Sequence, residues 1–422
     1  MIPWEGPRGG ECLAGHKSPP GAGLSFDRPP PDERAFALRE VSRKVLSPYA
    51  DHFRALTSCG LPGRLTTKVE FALYEPEEGE ELPVAVAKGL LTCGSSWACP
   101  VCSPREALGL AHRLERVVAR LAGQGWRVAM ATLTVRHERR DSLEATFGAL
   151  SSAWRWLVSH YRVKGHLRHT LWFRGTEITF GPNGWHPHLH LLLVFPPGRD
   201  PWALEDPLWE AWAEAVERVG WKPSERAAYH YLVPEEEEAA AAALASYAAE
   251  AWGLAPEAAG GPLKGARVGL SPFALLEVAE GEEAEEGALE TPGTMRRPPW
   301  LRPGEAAYRW VEYAEATKGR RRWGASRSLS LLLRAEEEEE EAARRARKLL
   351  EVVYLSLPAY IWLLRSRRLA YWLWLARHLG FSMACRLVGL VEGVDGEWWA
   401  PSELVGELAR ALAPPGGEGH AA

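Results

Sequence analysis

The spacing of apolar residues changes repeatedly along this chain, and each change predicts an element. Between Arg105 and Ala122 the positions Leu108, Leu110, Leu114, Val117, Val118 and Leu121 recur at helical intervals. Val128 to Val135 is a nearly unbroken apolar run that predicts a central strand, and a helix follows from about Ser142 to Tyr161. Leu171 to Phe180 and Trp185 to Phe195 read as strands on either side of Gly181-Pro182-Asn183-Gly184, a turn signal that closes them into a hairpin. Trp202 to Val219 predicts a helix, Ala227 to Val233 a short strand, and Glu235 to Trp252 an Ala-rich helix.

Strands and helices alternating in this way predict an α+β fold, a central antiparallel sheet flanked by helices. A cysteine-bearing, zinc-binding segment precedes it and a helical region follows. The expected divisions are a disordered Pro/Gly-rich start at 1–35, a zinc-binding segment at 36–105 and a core at 106–276. An acidic and then Pro-rich linker or insertion follows at 277–305, a basic extension at 306–335, a helical region at 336–413 and a tail at 414–422.

At 422 residues, 46% hydrophobic and 25% charged, the chain has the composition of a globular protein. The longest apolar run in its C-terminal part, Val352 to Leu364, is broken by Pro358 and is too short to span a bilayer. The start shows no basic region followed by an apolar one, so a cytoplasmic protein without a membrane partner is expected. The net charge of −5 hides a partition. Thirteen Lys or Arg stand against five Asp or Glu between Ser103 and Arg174, and Lys318-Gly319-Arg320-Arg321-Arg322 forms a second basic cluster. A local field of this sign suits phosphate whatever the global sum.

Within the hairpin, Trp185-His186-Pro187-His188-Leu189-His190 puts three imidazoles on alternate residues of one strand, hence on one face. Pairing Phe180 with Trp185 sets Glu177 opposite His188 on that face. Two imidazoles and a carboxylate converging with room for water suit Mg²⁺, Mn²⁺ or Zn²⁺. His188, His190 and Glu177 are the expected metal ligands. His186, its backbone restricted by Pro187, is expected to orient the phosphate or the ligands instead.

Cys93 and Cys99-Pro100-Val101-Cys102 carry the knuckle spacing by which thiolates grip a tetrahedral Zn²⁺, with Cys59 as the expected fourth ligand and His112 as its competitor. Four thiolates close the coordination, so that site would be structural. A metal beside a basic surface calls for a nucleophile. Tyr247 is the best placed, on the Ala-rich helix with Glu250 three residues on and sharing its face; Tyr229 and Tyr231 are the alternatives.

The chain resembles the replication initiators of rolling-circle plasmids, within the HUH endonuclease superfamily. The likeness lies in Cys93-Gly94-Ser95-Ser96-Trp97-Ala98-Cys99-Pro100-Val101-Cys102, in Ala131-Thr132-Leu133-Thr134-Val135, and in Glu177 followed by Asn183-Gly184-Trp185-His186-Pro187-His188-Leu189-His190. It continues in Tyr247, in Gly269-Leu270-Ser271-Pro272-Phe273, and in Trp310-Val311-Glu312-Tyr313 through Lys318-Gly319-Arg320-Arg321. Such enzymes nick and rejoin single-stranded DNA, holding Mg²⁺ or Mn²⁺ on the central sheet with the two histidines, here His188 and His190, while a helix-borne tyrosine faces the metal. Members often carry a lysine three residues after that tyrosine, where this chain has Glu250, or a glutamate four before it, where it has Ala243. The terminating residue is therefore open, with Glu250 as a substitute.

The resemblance implies attack by Tyr247 on a phosphodiester at a plasmid origin, leaving a 5′-phosphotyrosyl link and a free 3′-OH. The implied partners are single-stranded and origin DNA with a host helicase and polymerase. Arg136, Arg139, Arg140, Lys318, Arg320, Arg321 and Arg322 are expected to follow phosphates, and Trp154, Trp156 or Trp172 to stack on bases. A transposase or conjugative relaxase with the same chemistry, a non-catalytic zinc-dependent DNA-binding regulator and a metallohydrolase of small phosphoesters are the rival readings. The sequence leaves the oligomeric state open.

Overall fold

The computed structural model describes residues 31–76, 81–160, 165, 167, 169–234, 269–286, 295–366, 368–393 and 395–401. The expected Ala-rich helix, with Tyr247 and Glu250, lies outside the described residues, as do residues 1–30 and 402–422. In chain order the elements are α1 (Pro31–Leu46), α2 (Arg54–Ser58), β1 (Lys68–Tyr74), β2 (Val84–Lys88), α3 (Cys102–Ala122), β3 (Arg127–Thr134), α4 (Leu143–Ser159), β4 (Leu171–Gly181) and β5 (Gly184–Phe195). They continue with α5 (Glu205–Arg218), β6 (His230–Leu232), α6 (Pro272–Glu286), α7 (Glu305–Thr317), β7 (Trp323–Ala325), α8 (Arg327–Ala346), β8 (Leu349–Ser356), α9 (Leu357–Arg365), α10 (Leu369–Leu379), α11 (Phe381–Val388), β9 (Val391–Glu392) and β10 (Glu397–Trp399). Among the described residues no helix is long and apolar enough to cross a membrane.

The chain divides into two compact units, one of residues 38–57 and 93–343, the other of residues 1–37, 58–92 and 344–422. The larger is built on an antiparallel five-stranded sheet of order β6-β3-β5-β4-β7. Its central strand β5 is buried almost throughout, because both of its faces are covered. Leu189, Leu191 and Leu193 meet Phe147, Leu150 and Trp154 of α4, while Leu192 and Val194 meet Leu110, Leu114 and Val118 of α3. Helix α4 starts at Ser142, whose hydroxyl accepts from Ala145 N at 3.2 Å.

The smaller unit has a second five-stranded sheet, β2-β1-β8-β10-β9. Residues 349–356, expected to be helical, form β8, antiparallel to β1 and parallel to β10. The strand partner lies some 280 residues away, where no local periodicity can reveal it. The acidic stretch expected as a linker begins inside α6, with Glu277 and Glu280 buried.

Candidate metal and active centre

Strands β4 and β5 pair with Phe180 opposite Trp185 and Glu177 opposite His188, the register expected from the turn. Pairing extends to Gly181 and Gly184, so the turn is the two residues Pro182 and Asn183. Gly184 has φ +90°, and a Cβ there would fall 2.8 Å from Arg139 Cα. No other residue fits that corner without moving backbone.

This register brings Glu177, His188 and His190 together. Their ligand atoms lie within 4.8 Å of one another, and each Nε2 lies 2.8 Å from Glu177 Oε2. Burial pushes the Glu177 carboxyl up, but hydrogen bonds from His188 and His190 outweigh it and hold the group near 2. Burial also lowers His190. One carboxylate oxygen and two imidazole nitrogens converging at these distances are a donor set that fits a divalent ion.

His186 lies beside this triad, its ring 5.1 Å from that of His188. Its Nδ1 is 2.7 Å from Nε2 of His137, which follows β3. Burial, then the neighbouring His188 and His137, lower His186 to about 3, and burial lowers His137. Both rings are therefore neutral at physiological pH, one donating and the other accepting. His137 was missed from the sequence. Its only local signal is a histidine three residues beyond the end of an apolar strand.

Glu177 is backed by Arg322. The Arg322 carbonyl accepts from Thr176 N at 2.9 Å, and its guanidinium donates to Ser96 O at 3.0 Å and Ser103 Oγ at 2.8 Å. Only 7% exposed, Arg322 cannot follow a phosphate, contrary to expectation. Its neighbours divide. Arg139 donates to Pro182 O and Trp300 O and pairs with Glu305, Lys318 donates to His52 O, and Arg320 pairs with Glu144. Arg136, Arg140 and Arg321 are exposed, with Arg140 paired to Glu138. Trp154 is buried with Trp172 edge-on at 5.2 Å, and Trp156 stacks on His160, so these indoles already have ring partners.

In the larger unit the sulfurs of Cys93, Cys99 and Cys102 lie within 4.8 Å of one another, and His112 is not in the group; the expected fourth ligand, Cys59, belongs to the smaller unit. Cys93 Sγ and Cys102 Sγ are 3.7 Å apart, close to the edge of about 3.8 Å of a tetrahedron with Zn–S bonds of about 2.3 Å. Ser95 N donates to Cys93 Sγ and Cys102 N to Cys99 Sγ, which favours thiolates. Three convergent sulfurs of this spacing fit a metal ion.

The alternative nucleophiles are otherwise engaged. The Tyr229 hydroxyl donates to Glu205 O and that of Tyr231 to Pro201 O, and burial raises both phenols.

Residues 87–223 match the model of a family described as Replication protein. The chain is similar to a "Protein rep" of Streptomyces lividans, 26% identical over 56% of this chain and 62% of that one. It is also similar to a "Neomycin resistance protein" of Streptomyces cyanogenus, 31% identical over 26% of this chain and 32% of that one. The chain thus spans about a third and about three fifths of the lengths of these relatives. No solved structure matches. The resemblance to replication initiators is borne out over the matched segment.

Proposed function

We propose, with the likeness to replication proteins as premise, that this chain is a rolling-circle plasmid replication initiator that nicks one strand at its origin. The observation that carries the reading is the Glu177, His188 and His190 triad on the central sheet, inside the segment that matches the family. A divalent ion there, Mg²⁺ or Mn²⁺, supplies Lewis-acid polarisation of a phosphodiester oxygen. Glu177, His188 and His190 hold it. His186, fixed by His137, presents a neutral imidazole beside the phosphate.

Tyr247, assigned from its collinear place in the sequence, attacks phosphorus. The Tyr247 O–P bond forms as the P–O3′ bond breaks, the phenol proton leaves to solvent, the departing O3′ takes a proton from solvent, and the resulting 3′-OH is free for a polymerase. The engagement of Tyr229 and Tyr231 supports this assignment. Joining reverses the exchange at termination, with Glu250 proposed as the proton acceptor there. Cys93, Cys99 and Cys102 hold a structural Zn²⁺, and exposed Arg136, Arg140 and Arg321 guide the strand. A host helicase and polymerase complete the reaction.

The test incubates purified protein with a labelled single-stranded oligonucleotide from the encoding replicon and Mn²⁺. The expected product is a denaturant-resistant covalent adduct, lost in Tyr247→Phe and in the His188→Ala, His190→Ala double variant. Undiminished adduct from Tyr247→Phe removes that nucleophile. Undiminished adduct from the double variant removes the metal site, and no adduct from the unaltered protein favours a non-catalytic DNA-binding protein.

A further inference from the structure

Strand β6 lies at one edge of the larger unit's sheet, antiparallel to β3, with His230 opposite Thr132 and Leu232 opposite Met130. Thr132 in turn lies opposite His190 of β5. Residues opposite one another in a sheet point to the same side, so His230, Thr132 and His190 form one row. His230 therefore stands on the face that carries Glu177, His188 and His190. Two interstrand spacings, about 10 Å, separate its backbone from that of His190. Thr132, the one residue between them in the row, is short.

The direction of His230 is set from behind. Tyr229 and Tyr231 stack on the reverse face with ring centroids 6.2 Å apart, and their hydroxyls donate to Glu205 O at 3.1 Å and Pro201 O at 2.7 Å. Trp209 packs on Tyr229 at 5.4 Å and Trp202 on Tyr231 at 6.0 Å. With Tyr231 anchored, the side-chain period of two fixes His230 on the metal-ligand face. There α3 packs on Met130 and Leu192 but leaves Leu232 52% exposed, and His230 is exposed as well. Among the described residues the His230 ring has no hydrogen-bond partner, whereas those of His186, His188 and His190 are all engaged.

The ligand atoms of Glu177, His188 and His190 converge over β4 and β5, and β6 lies on the other side of β5. His230 is thus outside the ligand group, yet on the same open face. A small phosphoester held at the metal centre ends before β6, whereas a polymer lying across the strands continues past it. We infer, resting on the nicking reading above, that His230 is a substrate-binding residue. Its ring N–H donates to a non-bridging oxygen of a phosphate one or two linkages from the phosphate at the metal centre. An imidazole keeps at least one N–H in either protonation state, so the contact does not depend on titration. A phosphate contact carries no sequence information but fixes the register of the strand, and here it sets which linkage reaches the metal centre.

The experiment scans a single-stranded oligonucleotide from the encoding replicon, placing one neutral methylphosphonate at each linkage in turn. Affinity is measured by fluorescence anisotropy with Mn²⁺ and the full chain carrying Tyr247→Phe, which keeps the strand whole. Each phosphate that the protein grips shows as a loss of affinity. Withholding Mn²⁺ should erase the loss at one linkage, and adding His230→Ala should erase it at another, one or two linkages away, while weakening binding of the unmodified strand roughly tenfold. His230→Gln, which keeps an N–H donor, should retain part of that loss. Thermal unfolding of His230→Ala should match that of the parent, since the ring has no partner to give up. The inference is overturned if His230→Ala leaves every loss in place, or erases one more than two linkages from the Mn²⁺-dependent position. A lowered unfolding midpoint with an unchanged scan also overturns it and makes His230 a structural residue. If withholding Mn²⁺ alters no linkage while His230→Ala does, the contact stands and the metal reading falls. Scission by the unaltered protein is read separately on a denaturing gel, so nicking and the His230 contact fail independently.

Discussion

Glu177→Gln is the sharpest probe of the centre, because it keeps the shape and removes only the charge. Glu177 Oε2 accepts from two imidazoles at 2.8 Å, and Glu177 is the one acid of the triad. Lowering its carboxyl from the ordinary 4.5 to about 2 corresponds to roughly 3 kcal/mol of metal-free stability. Because the folded value lies below the unfolded one, this contribution is fully present above about pH 4.5 and is lost as pH falls toward 2. The variant retains neutral hydrogen bonds, so the metal-free protein at pH 7 should lose up to about 3 kcal/mol in urea unfolding, and the gap should close in acid. Deleting the sole charged ligand should also weaken Mn²⁺ binding by at least about 100-fold, or about 2.7 kcal/mol, in isothermal titration. Mn²⁺ affinity within about threefold of the unaltered protein would refute the triad as a metal site. A stability gap that persists unchanged at pH 2 to 3 would refute the electrostatic account.

Gly184→Ala forces a Cβ to within 2.8 Å of Arg139 Cα at φ +90°, so it should cost about 2 kcal/mol or more in urea unfolding and weaken Mn²⁺ binding; a neutral result would show that the turn tolerates a side chain. Arg322→Ala removes the two hydrogen bonds that one buried guanidinium nitrogen donates to Ser96 O and Ser103 Oγ, for an expected loss of roughly 3 kcal/mol in urea unfolding; an unchanged stability would show that these bonds hold nothing. Cys102→Ser should abolish the roughly one zinc per chain expected by elemental analysis. Unaltered zinc content would mean that the cysteine group holds no ion.

What the sequence disclosed follows from how far each feature reaches along the chain. The Glu177 and His188 pairing was legible because a short Gly-Pro-Asn-Gly turn fixes the register and the side-chain period of two then fixes the face. The cysteine knuckle was legible for the same reason, its three sulfurs lying within ten residues. Features set by distant contacts were not. Strand β8 depends on β1, and His137 meets His186 only because the chain leaving β3 passes the hairpin turn. The basic run from Lys318 to Arg322 looked like one solvated patch, but it crosses from the end of α7 into β7, so successive side chains take opposite directions. Arg321 reaches solvent while Arg322 turns inward, tying Ser96 and Ser103 on either side of the cysteine knuckle to the strand that carries Glu177. A charge count assigns both residues to DNA. The sheet ties one of them to the strand that carries Glu177, and for that reason loss of Arg322 should be felt at Glu177 before it is felt in any affinity for DNA.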